Sequence, residues 1–91
     1  PNIELFYYKT RNDKEVDFVV KEGLTINELI QVTYNSTTPE VSEREVKALL
    51  EANEELRAEK LTVLTWDEER KIDKNGVVIN FVPLWQWLIE K

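Results

Sequence analysis

The chain has 91 residues, 42% of them hydrophobic and 33% charged, and its 12 basic and 18 acidic side chains give a formal net charge of −6. That length fits one small, ordered domain, and the acidic balance disfavours a surface dominated by phosphate contacts. The absence of Cys and His excludes disulfides, thiolate or imidazole metal sites, and the Ser-His-Asp and Cys-His nucleophiles.

Ile3 to Lys9 (IELFYYK) is rich in β-branched and aromatic residues and reads as a strand. Thr10 to Lys14 is a polar turn. Glu15 to Lys21 (EVDFVVK) alternates, with Val16, Phe18 and Val20 expected on one face and Asp17, Val19 and Lys21 on the other. The two runs form a β-hairpin. After the Glu22-Gly23 turn, Thr25 to Tyr34 carries a third strand, with Ile30, Val32 and Tyr34 opposite Leu29, Gln31 and Thr33.

Asn35 to Pro39 (NSTTP) is a loop. Ser42 followed by Glu45 fits a capping box, and Thr38 before Pro39 is a competing helix start. Val46, Leu49, Leu50 and Leu56 then recur at helical spacing, with Glu43, Lys47, Glu51, Glu54 and Glu55 outside. This helix is expected to end near Glu59. Leu61 to Trp66 (LTVLTW) suits a buried strand, so Thr25 to Trp66 makes a βαβ unit. Asn75-Gly76 is a strong hairpin turn between Arg70–Asp73 and Val77–Val82. Pro83 stops that strand and starts a last helix over Leu84 to Lys91, with Leu84, Trp85 and Leu88 expected inward and Trp87 partly exposed. The pattern β-β-β-α-β-(β-β)-α predicts an α/β fold, a mixed β-sheet with flanking helices.

Among the remaining chemical players Asp17 stands out, a charge in mid-strand between apolar neighbours. Gln31 and Thr33 share a face of the next strand and converge on Asp17 if the register allows. The hairpin, EVDFVV, the Gly turn and ELIQV together resemble the core of the PD-(D/E)XK nuclease-like, restriction-endonuclease-like fold. More narrowly, the chain is similar to the C-terminal domain of a family of archaeal and bacterial AAA+-type ATPases, a likeness that extends through EREVKALLEANEEL, LTVLT and VPLWQWL.

Nucleases of that fold carry an Asp at the position of Asp17 and Glu-x-Lys on the following strand. There the carboxylates hold Mg²⁺, which polarises phosphate and activates water. Here the corresponding stretch is Gln31-Val32-Thr33, which lacks the second carboxylate and the cation. Glu28 falls on the opposite face. The resemblance therefore implies a degenerate site at Asp17, Gln31 and Thr33, and an interaction or regulatory module of an ATPase. No Gly-rich phosphate loop is present, so ATP belongs to parent domains outside this chain and no cofactor is expected within it. One alternative is a Mg-dependent nuclease acting on DNA with Asp17 as the metal ligand. Another is a stand-alone fold module without activity, which the missing Met and the start at Pro1 keep open.

Two surfaces invite partners. Trp85 and Trp87 form an apolar end suited to docking ATPase domains or a second copy. Lys9, Arg11 and Lys14 cluster beside Tyr7 and Tyr8 as a weak nucleic-acid contact, and are otherwise a solvated hairpin tip. The acidic helix face is expected to be plain solvated surface. No apolar run approaches the roughly 18 residues of a membrane span, so a cytoplasmic protein without a membrane partner is expected.

Overall fold

A computed structural model describes residues 2–34 and 39–90. Their elements are β1 (Ile3–Lys9), β2 (Glu15–Glu22), β3 (Thr25–Val32), α1 (Pro39–Leu56), β4 (Lys60–Thr65), β5 (Arg70–Lys74), β6 (Val77–Pro83) and α2 (Leu84–Glu90). The strands form one mixed sheet of six in the order β1-β2-β3-β4-β6-β5. β1, β2 and β3 make an antiparallel meander. β4 lies parallel to both β3 and β6, and β5 returns antiparallel to β6 at the far edge. The α/β class and the element order match the pattern read from the sequence.

The helical spacing of Val46, Leu49 and Ala52 gives α1 an apolar stripe, which it buries on one face of the sheet. There it meets Val16, Val19, Leu29, Leu61, Val63, Ile79 and Phe81 in a single core cluster. Full burial of a side chain such as Leu49 stabilises the fold by about 2 kcal/mol. α1 stops earlier than Glu59 because Arg57 turns left-handed (φ 56°). Its N–H donates to the Asn53 carbonyl, and Asn53 Oδ1 accepts from the Ala58 N–H at 2.8 Å, which closes the helix end.

The start of α1 corrects the capping-box expectation. Pro39 opens the helix, where its missing N–H costs nothing. Ser42 therefore sits inside the first turns, and its hydroxyl accepts from Arg70 Nη2 at 2.8 Å. The Asn35–Thr38 loop and the Thr38 cap lie outside the described residues.

The alternation expected for β2 is also corrected. Register runs from Phe6↔Val19 to Tyr8↔Val16, so Asp17 and Phe18 together oppose the single residue Tyr7. This is a β-bulge. It brings both Val16 and Val19 into the core, while Phe18 stays 45% exposed. Asn75 and Gly76, at φ 55° and 87°, form the tight turn of the second hairpin; two consecutive positive φ values are what a type I′ turn needs and what Asn-Gly supplies.

α2 packs on β6 and β4 from the face opposite α1. Gln86, Trp87 and Glu90 border a cavity of about 410 Å³ there with Glu28, Thr62 and Asn80. Its orientation reverses the expected tryptophans. Trp87 is half-buried, whereas Trp85 and Leu88 are 57% and 60% exposed. Two residues 200° apart on a helix cannot both face the sheet, and Trp87 takes the inner side.

Candidate functional site

Where β2 reaches the bulge, its regular ladder with β3 ends at Phe18↔Ile30. Beyond that point the two strands are joined through side chains. Gln31, buried at 2% exposure, follows Leu29 on the α1 side of the sheet and points its amide at the backbone of β2. Its Oε1 accepts from the Asp17 N–H at 3.0 Å and its Nε2 donates to the Glu15 carbonyl at 2.8 Å. A primary amide carries one acceptor and donors in the geometry of a peptide group, so Gln31 replaces a missing rung of the sheet. Asp17 answers from the other strand, its Oδ2 accepting from the Val32 N–H at 2.8 Å.

The structure thus brings Asp17 and Gln31 together. Both border a cleft of about 390 Å³ with Lys14, Glu15, Arg44 and Glu45. Thr33 does not line this cleft; it lies one residue past β3, with its N–H on the Leu64 carbonyl at 2.9 Å. Glu28 lies on the opposite face, as expected, where it is buried and accepts from the Thr62 hydroxyl at 2.5 Å.

Glu45 is the residue that sequence reasoning missed, having been read as a cap. Placed nearly two turns into α1, it shares the cleft with Asp17. Burial pushes its carboxyl above the ordinary range; the Asp17 charge adds to this and Arg44 opposes it. An acid whose folded pKa is raised favours folding in its protonated form. Its contribution is therefore present below the unfolded pKa and fades as pH rises through the folded value. Replacing Asp17 by Asn is expected to lower the Glu45 titration midpoint, read from its carboxyl ¹³C shift; an unmoved midpoint would separate the two groups.

The hairpin tip is tied to α1. Tyr8 donates to Glu55 Oε1 at 2.6 Å, the Arg11 N–H reaches Glu55 Oε2, and both the Thr10 hydroxyl and Asn12 Nδ2 donate to Glu51. Two glutamates of the acidic face of α1 therefore clasp the β1–β2 turn, while Arg11, Asn12 and Asp13 at the tip and Glu43, Lys47 and Glu54 on the helix stay exposed as expected. Lys14 lines the Asp17 cleft rather than a cationic tip, while Lys9 and Arg11 stay exposed.

The Thr10 hydroxyl, followed by the Asn12 amide, holds the Glu51 carboxyl below its ordinary range. A depressed carboxylate contributes stability above its unfolded pKa and loses it as pH falls through the folded value. Acidification below the usual carboxylate range is expected to release the tip, seen as amide shifts at Thr10 and Asn12. Glu51→Gln should remove that pH dependence.

A Mg²⁺ ion needs several oxygens near octahedral geometry. Here one Asp17 oxygen is engaged by Val32, and both ends of the Gln31 amide are bound to β2. Among the described residues no three His, Cys, Asp or Glu side chains are grouped so as to hold a metal. These residues do not fit a Mg²⁺ site.

Residues 1–87 match the family described as a domain of unknown function, DUF4143. The chain belongs to that family. The match covers every strand and the first half of α2, so the Asp17–Gln31 bridge and the Glu51–Glu55 clasp both fall inside the DUF4143 region. No curated protein matches the chain. Among the described residues, no helix is long and apolar enough to cross a membrane.

Proposed function

We propose that this DUF4143 domain is a catalytically silent, nuclease-like module that serves as an interaction or regulatory element, forming the C-terminal part of a cytoplasmic AAA+-type ATPase over residues 1–91. The observation that carries the reading is the Gln31 amide. At the position where related nucleases are expected to place a metal-binding carboxylate, this chain has a side chain committed at both ends to the backbone of β2. A Glu could keep the bond from Asp17, but ionised it has no donor for Glu15. The substitution that removes a ligand charge thus supplies a structural bridge. ATP binding falls to parent domains, and the partners of this module are those domains or a second copy.

The test is a titration of Mg²⁺ and Mn²⁺ followed by backbone amide shifts. At millimolar metal, Asp17, Gln31 and Thr33 are expected to show no saturable shift. Localised, saturable shifts that vanish in Asp17→Asn, together with metal-dependent DNA cleavage, would overturn the silent reading and establish a nuclease.

A further inference from the structure

The face of the sheet opposite α1 is only half covered. Register places Ile3, Leu5 and Tyr7 of β1 on it, with Phe18 of β2 and Val32 of β3. All five are exposed, by 45–64%. The patch extends past the strand ends to Tyr34 and Trp66, which stack at 5.8 Å between ring centroids and are 78% and 59% exposed. Together these seven side chains leave on the order of 900 Å² accessible, against about 800 Å² per partner in a standard interface. Monomers rarely leave so large an apolar patch to water; a few hundred Å² is typical.

The shape of this face selects an occupant. α2 covers β4 and β6 and stands one helix diameter, about 10–12 Å, above the sheet; Glu28 and Ile30 of β3 are already buried on this side, which leaves β1, β2 and the Val32 end of β3 as the lower tread of a step. Packed sheets lie about 10 Å apart. A copy turned about a two-fold axis running along the strands would set its own bare β1–β3 on this tread. Its α2 would then lie beyond the first copy's β1 edge, and Trp85, Leu88 and Ile89, which lie on one side of α2 and are exposed, would gain a flank to meet. The two steps interlock.

Charge permits the approach despite the net −6. Glu43, Glu51, Glu54 and Glu55 lie on α1, across the sheet. The charges that register places on this side sit toward its ends and not among the apolar side chains: Lys9 opposite Glu15, Glu22 opposite Ile3, and Glu28, buried, opposite Lys60.

We propose that the occupant is a second copy of this chain, forming a two-fold dimer through the bare β1–β3 faces with each α2 closing the other's flank. This names the partner of the interaction reading above and rests on it. Light scattering during size exclusion of the 91-residue chain should give twice the monomer mass at tens of micromolar. Leu5→Glu and Phe18→Glu, both at exposed positions, should each weaken association at least ~100-fold by placing a carboxylate in the apolar contact, with circular dichroism unchanged. Independently of any variant, dilution of the wild-type chain should move amide signals on β2, β3 and α2 and leave those of α1 in place. A monomer at these concentrations overturns the dimer, as do dilution shifts confined to α1 or to the outer edge of β1. The metal titration is blind to this association, so failure of the dimer leaves the silent-module reading to be judged by that separate result.

Discussion

Replacing Gln31 by Leu is expected to destabilise the fold by about 2 kcal/mol, because the buried Gln31 side chain holds both the Asp17 N–H and the Glu15 carbonyl at the edge of the cleft and both lose that partner. Urea unfolding followed by tryptophan fluorescence would show a lower midpoint at unchanged slope. A loss within experimental scatter of zero would mean that water or a shifted strand replaces the amide. Gln31→Glu should behave differently with pH. Ionised, the Glu presents an oxygen to the Glu15 carbonyl and adds negative charge beside Asp17 and Glu45; protonated, it can donate there again. Its stability deficit should therefore shrink as pH falls, opposite to the loss caused by releasing Glu51.

Phe81→Ala is the most damaging single truncation anticipated, at about 4 kcal/mol for lost burial and the cavity left behind. Phe81 is 1% exposed on β6, and the Arg70 guanidinium lies 3.9 Å from its ring centroid. Arg70 is also held by Glu68 at 2.8 Å and by Ser42 of α1. Removing the ring deprives this cation of its face and loosens the tie between β5 and the start of α1. Against a total stability of roughly 5–10 kcal/mol for a domain of this size, the variant should be marginal at 37 °C, with a thermal midpoint lowered by well over 10 °C.

The elements were legible because their periods are clean. The 3.6-residue stripe of α1 and the Asn75-Gly76 turn each need only local chemistry. The convergence of Asp17 and Gln31 was legible too, since both follow from adjacent-strand alternation. What the alternation hid was the bulge: IELFYYK and EVDFVVK can pair with or without an extra residue, and only the demand of α1 for both Val16 and Val19 decides between them. Glu45 was hidden for a similar reason. Its approach to Asp17 depends on how α1 crosses the sheet, a tertiary quantity that no spacing within the helix encodes. The inversion of Trp85 and Trp87 has the same origin, because a seven-residue helix offers too few apolar positions to fix its own rotation.

The extra residue on β2 also sets which way the hairpin tip leans. Beyond Asp17 and Phe18, every side chain of β2 and the turn is one step out of phase with the rest of the strand, so Val16 returns to the helix side with its register partner Tyr8. Removing one bulge residue would leave Val16 two positions from Val19, restoring unbroken alternation with both side chains and Tyr8 still on the helix side. The hairpin should consequently survive the loss of one residue between Val16 and Val19 better than a charge placed at either valine. In a lineage of related chains, the apolar character of these two positions is expected to be held more tightly than the length between them.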